Sequence, residues 1–143
     1  MVKELEKLNQ LVDHLKIISN PSPNFGIRKN NACPSIIVLH YTAMDRVNDA
    51  LERLCNPATE VSSHYLIDEK GTIFLLVDEE HRAWHAGQGK WGDCEDINSS
   101  SIGIELSNSG DTPFSFFLME SLAFLVNQIL DNWSITPNNV IGH

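Results

Sequence analysis

Ile36-Ile37-Val38-Leu39-His40-Tyr41-Thr42 is the segment that decides the fold, because four large apolar residues in a row deliver a histidine to their end. A short uninterrupted apolar run is the pattern of a strand buried on both faces, although a buried helix segment shares it. Three of the four apolar residues are β-branched and Pro34 lies just upstream, so the segment reads as a central strand. His40 then stands at the strand's C-terminal end, where α/β folds tend to place ligands and metals.

Working outward, Val47, Ala50, Leu51 and Leu54 keep a helical period from Asp45 to Cys55, and Asn56-Pro57 ends it. Ser63 to Asp68 and Thr72 to Val77 read as two strands of a hairpin, with Gly71 supplying a positive φ in the Glu69-Lys70-Gly71 turn. Periodicity disappears from Asp78 to Asn98, where His81, Trp84, His85 and Trp91 gather; irregular loops of that length are more often functional than idle. Ser101 to Leu106 alternates as a strand, with Ile102, Ile104 and Leu106 on one face and Gly103 and Glu105 on the other. Phe116 to Trp133 is a helix with a broad apolar face, and Val140 to His143 begins a further strand. At the other end, Leu5, Leu8, Val12 and Leu15 form a stripe at intervals of three and four, so residues 1–19 are expected to be an amphipathic helix ahead of a domain at 20–143.

A formal charge of -9 and a pI near 4.9 argue against nucleic-acid or anionic-membrane partners, which require clustered Lys and Arg. Cys33, Cys55 and Cys94 are widely spaced and form no C-x-x-C pair, so neither a disulfide framework nor a thiolate zinc site is suggested. The first twenty residues hold six charges and no continuous apolar core, so neither a secretory signal nor a membrane anchor is expected, and a cytoplasmic location is favoured over a periplasmic one.

Six histidines invite a search for a site. His14 and His81 read as ordinary exposed or loop residues. His40 and His143 both end apolar segments assigned to the sheet, and two imidazoles delivered by rigid strand ends suit a catalytic zinc ion. Spacing alone leaves two ordinary strand-end histidines as the competing explanation. His64 and His85 are candidate substrate contacts near the same edge. Glu105 is either a general base or a salt-bridged acid. Trp84 and Trp91 are candidates for stacking on a sugar or peptide, whereas Trp133 belongs to the core.

V-L-H-Y-T at 38–42, S-S-H-Y-L-I at 62–67, A-W-H-A-G at 83–87, S-I-G-I-E-L at 101–106 and V-I-G-H at 140–143 occur in this order. Their sequence and spacing resemble the zinc-dependent N-acetylmuramoyl-L-alanine amidases of the AmpD and peptidoglycan-recognition-protein type, from about residue 22 onward. The resemblance implies an α/β (α+β) fold, with a mixed central β-sheet flanked by helices and a peptidoglycan-binding groove at the metal edge. It also implies that His40 and His143 are Zn²⁺ ligands, that Glu105 is the catalytic acid/base, and that His64, Trp84 and His85 lie near or line the substrate groove. The implied reaction is hydrolysis of the amide joining N-acetylmuramic acid to L-alanine in bacterial peptidoglycan or muropeptides, with no organic cofactor.

The family pattern continues past V-I-G-H with a third ligand, usually an aspartate, and a lysine that stabilises the oxyanion; neither is among these 143 residues. The 20–143 domain is therefore expected to lack its C-terminal end. Asp93, Asp96 and the terminal carboxylate of His143 are the candidate replacements for the missing ligand. A catalytically impaired or inactive muropeptide-binding domain is the alternative to an amidase.

Overall fold

A computed structural model describes residues 1–6 and 15–143 of the chain. Leu8, Val12 and His14 lie outside the described residues, so only part of the expected N-terminal helix is placed; residues 2–6 are helical. Its expected end is corrected. Ile17–Ser19 is a strand, β1, rather than helix, and it runs parallel to β5 (Ile73–Leu75) in the register Ile17↔Ile73 and Ser19↔Leu75. Two β-branched residues and a neighbouring edge offering backbone partners outweigh the helical stripe there.

Among the described residues six strands form the main sheet in the order β1-β5-β4-β7-β3-β8, with β3 at Ile36–Tyr41, β4 at Tyr65–Ile67, β7 at Ser101–Leu106 and β8 at Val140–Gly142. Among the described residues only the β4–β5 pair of this sheet is antiparallel, which makes the sheet mixed. The expected hairpin is present, and Gly71 has φ +84° at its turn. A Cβ there would also lie 2.9 Å from the Phe117 carbonyl oxygen, so the turn packs directly on a helix backbone. The irregular stretch from Asp78 to Asn98 contains one ordered pairing, β6 (Arg82–Ala83) antiparallel to β2 (Phe25–Gly26), and it leads into a short helix at Ile97–Ser100.

Helix α1 (Val47–Cys55) covers one face of the sheet, and α3 (Phe116–Trp133) covers the other; the Ile97–Ser100 turn is α2. The start of α3 is fixed by Ser115, whose Oγ accepts from the Leu118 N–H at 3.1 Å. Leu118, Leu122, Leu125 and Ile129 of α3 pack on Ile37, Ile67, Ile73, Ile102 and Ile104, forming the main core. Trp133 packs at the margin of this core and donates its indole N–H to Glu79 Oε2 at 3.0 Å, while the Tyr65 hydroxyl donates to Oε1 at 2.9 Å. Glu79 thereby ties the beginning of the irregular stretch to the core. No helix among the described residues is long and apolar enough to cross a membrane.

Candidate active site

The register of three parallel strands assembles the site. Val38 pairs with Gly103 and Ile141, and His40 pairs with Glu105, so side chains directly opposite one another share a face. His143 follows the last paired residue of β8 and donates its N–H to the Leu39 carbonyl at 3.0 Å, which sets it beside His40. The two imidazole centroids are 4.7 Å apart. Glu105 is therefore on the face opposite Ile102 and Ile104, as the alternation of β7 predicts.

Burial shapes the chemistry of these groups. The Glu105 Oε2 atom is buried without a hydrogen-bond partner among the described residues. Loss of hydration raises its carboxyl pKa to about 7, and the positive charge of Arg53 opposes the rise. Burial, reinforced by the neighbouring His143, pushes His40 down to about 4 and leaves its imidazole neutral at physiological pH. Glu105, His85, Trp84, Ser62 and Arg53 line a cavity of about 170 Å³. A shallower hollow of about 440 Å³ shares Trp84 and His85 with it and extends to Arg82. A larger depression, about 1090 Å³, lies farther along, between Lys29, Lys90 and Asp93; it shares Arg82 with the second hollow and contains neither Glu105 nor the imidazoles.

His64 departs from its expected place. It is 0% exposed, so it does not line an open groove. The Gly103 N–H donates to its Nδ1 at 3.0 Å, which requires that nitrogen to be unprotonated; Nε2 then carries the hydrogen and donates to the His81 carbonyl at 2.9 Å. Burial holds its pKa at about 3. Its role is to pin β7 to the loop, and alternation explains the burial, because His64 lies on the same face as Leu66 beneath α1. His81 stacks on Phe25 with ring centroids 4.9 Å apart. Trp84 is half-buried along the first two cavities, and Trp91 is exposed.

His85 is held from several directions. Its backbone N–H and that of Ala86 both donate to Asn98 Oδ1, at 3.1 and 2.9 Å. Its ring lies against Gly103, with Nδ1 2.8 Å from His40 Nε2 and Nε2 2.9 Å from Ser101 Oγ. Burial keeps its pKa well below the usual histidine value.

Arg28, Asn98 and Ser101 were not singled out by the sequence. Arg28 is 7% exposed and donates through Nη1 to the Ser99 and Ser101 carbonyls at 2.8 and 2.9 Å, bracing the start of β7. Burial lowers its pKa to about 10. Nothing in the local sequence around Arg28 announces that burial.

His40 and His143 supply two imidazoles of the type zinc prefers. Among the described residues no group of three or more His, Cys, Asp or Glu is placed to hold a metal, so Asp93 and Asp96 do not complete a ligand set. Asp96 is instead committed to Arg82 at 2.9 Å and to the cap of α2.

Comparison with known proteins defines the class. A selenomethionine derivative of AmpD has the same fold, with a TM-score of 0.78 and 26% identity over 91% of this chain and 81% of that one. AmpD of Haemophilus influenzae is 32% identical, covering 99% of this chain and 85% of its own length. AmiD of Escherichia coli K12 is 36% identical over 76% of this chain but only 44% of its own length. The structure of AmiD in complex with anhydro-N-acetylmuramic acid-L-Ala-D-γ-Glu-L-Lys matches with a TM-score of 0.69 and 34% identity, covering 80% of this chain and 50% of that one. The family signature Amidase_2, N-acetylmuramoyl-L-alanine amidase, spans residues 29–143. The chain belongs to the N-acetylmuramoyl-L-alanine amidase family.

Proposed function

We propose that this chain hydrolyses the amide between N-acetylmuramic acid and L-alanine in peptidoglycan or muropeptides, using zinc held by His40 and His143 and Glu105 as the acid/base. The observation that carries this reading is the Glu105 carboxyl, buried with an unpartnered oxygen and raised to about 7 beside two converging imidazoles. Support also comes from AmiD, whose solved complex contains an anhydromuramyl peptide described as its substrate.

Two imidazoles fit zinc in ligand type and leave positions open for water and substrate. Zinc bound there would supply Lewis-acid polarisation of the scissile carbonyl and activation of the attacking water. Glu105 would take a proton from the attacking water and return it to the departing amine, and a pKa near neutrality suits both transfers. Its position in the cavity beside Trp84 brings the carboxyl next to an indole on which a sugar or peptide group can stack.

The test is incubation of zinc-loaded protein with an anhydromuramyl tripeptide, following release of the stem peptide by chromatography and mass spectrometry. Release is expected, and Glu105→Gln should reduce it by about 10² to 10⁴. A wild-type sample that carries zinc and releases no peptide overturns the reading.

A further inference from the structure

We propose that His85 is a positioning residue for His40: its Nδ1 accepts a hydrogen bond from His40 Nε2–H, with Ser101 anchoring the far side of its ring. This rests on the reading of His40 as a zinc ligand and adds a role for a side chain that the motif pattern assigns to the substrate groove.

The contacts form one line, Ser101 Oγ to His85 Nε2 at 2.9 Å and His85 Nδ1 to His40 Nε2 at 2.8 Å. Two proton arrangements satisfy it. In one, His85 donates through Nδ1–H, and the single hydrogen of a neutral His40 must sit on Nδ1, so no ring lone pair remains for a metal. In the other, His85 carries its hydrogen on Nε2 and donates to Ser101 Oγ, while its bare Nδ1 accepts from His40 Nε2–H. His40 Nδ1 then keeps its lone pair. Metal-ligating histidines almost always donate their second ring N–H in this way, which fixes both tautomer and ring orientation.

The surroundings hold His85 where it can act on His40. Asn98 clamps the backbone N–H groups of His85 and Ala86, and Gly103 leaves the space the ring occupies: a Cβ at Gly103 would fall 2.5 Å from His85 Cγ. Gly103 is itself held by His64, through the Gly103 N–H to Nδ1 bond at 3.0 Å. The fully buried His64 thus supports the strand on which the His85 ring rests.

Leucine and asparagine have nearly the same shape, but only asparagine can present an oxygen close to the His85 Nδ1 position. His85→Leu should weaken Zn²⁺ affinity, measured by competition with a chromophoric chelator, about 10- to 100-fold. In ¹⁵N-histidine NMR of the metal-free protein, the same variant should turn His40 from the Nε2–H tautomer into a mixture. His85→Asn should recover most of the affinity and the tautomer. If the two variants lose equally, His85 acts through packing; if neither changes the tautomer, it does not orient His40. Either result overturns the proposal. A wild-type protein that binds no zinc would defeat the amidase reading instead, and the metal-free tautomer would still decide the role of His85.

Discussion

On one side of the β3–β7 pair, Ile37, Ile102 and Ile104 meet Leu118, Leu122 and Leu125 of α3 in a continuous aliphatic layer. One residue along the same strands, the opposite side carries Ser101, Gly103, Glu105 and His40. Its apolar cover is divided between a cluster around Ala50 and Leu54 and another around Ile36, Val38 and Ile97. Between these clusters run His64, His85 and Glu105. The continuous layer stabilises without specifying chemistry, whereas the divided cover removes water from polar groups without filling the space above them. That incomplete burial leaves Glu105 near neutrality and its Oε2 without a partner.

Neighbouring substitutions on β7 should break this contrast most clearly. Glu105→Gln is expected to lower amidase turnover by about 10² to 10⁴, as in the peptide-release test, without lowering the denaturant midpoint at neutral pH. Ile104→Ala, one residue away and 0% exposed, should do the reverse. It should destabilise the fold by about 2 to 5 kcal/mol in a urea titration, with turnover per folded molecule close to wild type. If Ile104→Ala removed turnover without loss of stability, the two faces would not be separable.

Gly103→Ala probes the seam between them. The new methyl would meet the His85 ring at 2.5 to 2.7 Å, so the ring or the strand must shift. Overpacking of this kind costs about 1 to 3 kcal/mol, read as a lower melting temperature. Zinc affinity should fall with it, since the displaced ring is the one that meets His40. Retention of both properties would mean that the seam yields easily.

Much of this contrast is legible in the sequence, but unevenly. β3 and β7 were readable because a buried strand writes its apolar run or alternation into consecutive residues, and α3 because eighteen residues carry one broad stripe. β1 was not, because Ile17–Ser19 is exposed and becomes a strand only by pairing with β5, more than fifty positions away. His64 was misplaced for a related reason: the motif around it marks proximity to the site, while its burial depends on α1 and on the Gly103 N–H from a distant strand. The His40–His85 contact joins residues 45 apart and has no local signature.

The smallest expected effect concerns pH and isolates Glu105 from the histidines around it. In metal-free protein, the Glu105 pKa of about 7 lies above its ordinary 4.5, so between these values the folded state binds more protons than the unfolded state. Its contribution is fully present below pH 4.5 and is lost as pH rises through 7. The shift sets a ceiling of about 3 kcal/mol, and water in the open groove should reduce this to about 1 to 2. His40 and His64 are depressed to about 4 and 3, so they act in the opposite direction. Their unfolded forms bind the extra protons, and stability rises with pH until about 6.5. His85, also lowered, adds to this, so the histidines outweigh Glu105: wild-type stability should rise from pH 4.5 to 6.5, less steeply than the histidines alone would make it, and then decline slightly to about 7.5. Glu105→Gln should uncover the histidine slope, with stability climbing to pH 6.5 and remaining level above it. Urea midpoints measured across this range with a chelator present would show the difference. Parallel curves for the two proteins would mean that Glu105 is hydrated and not held near neutrality by burial.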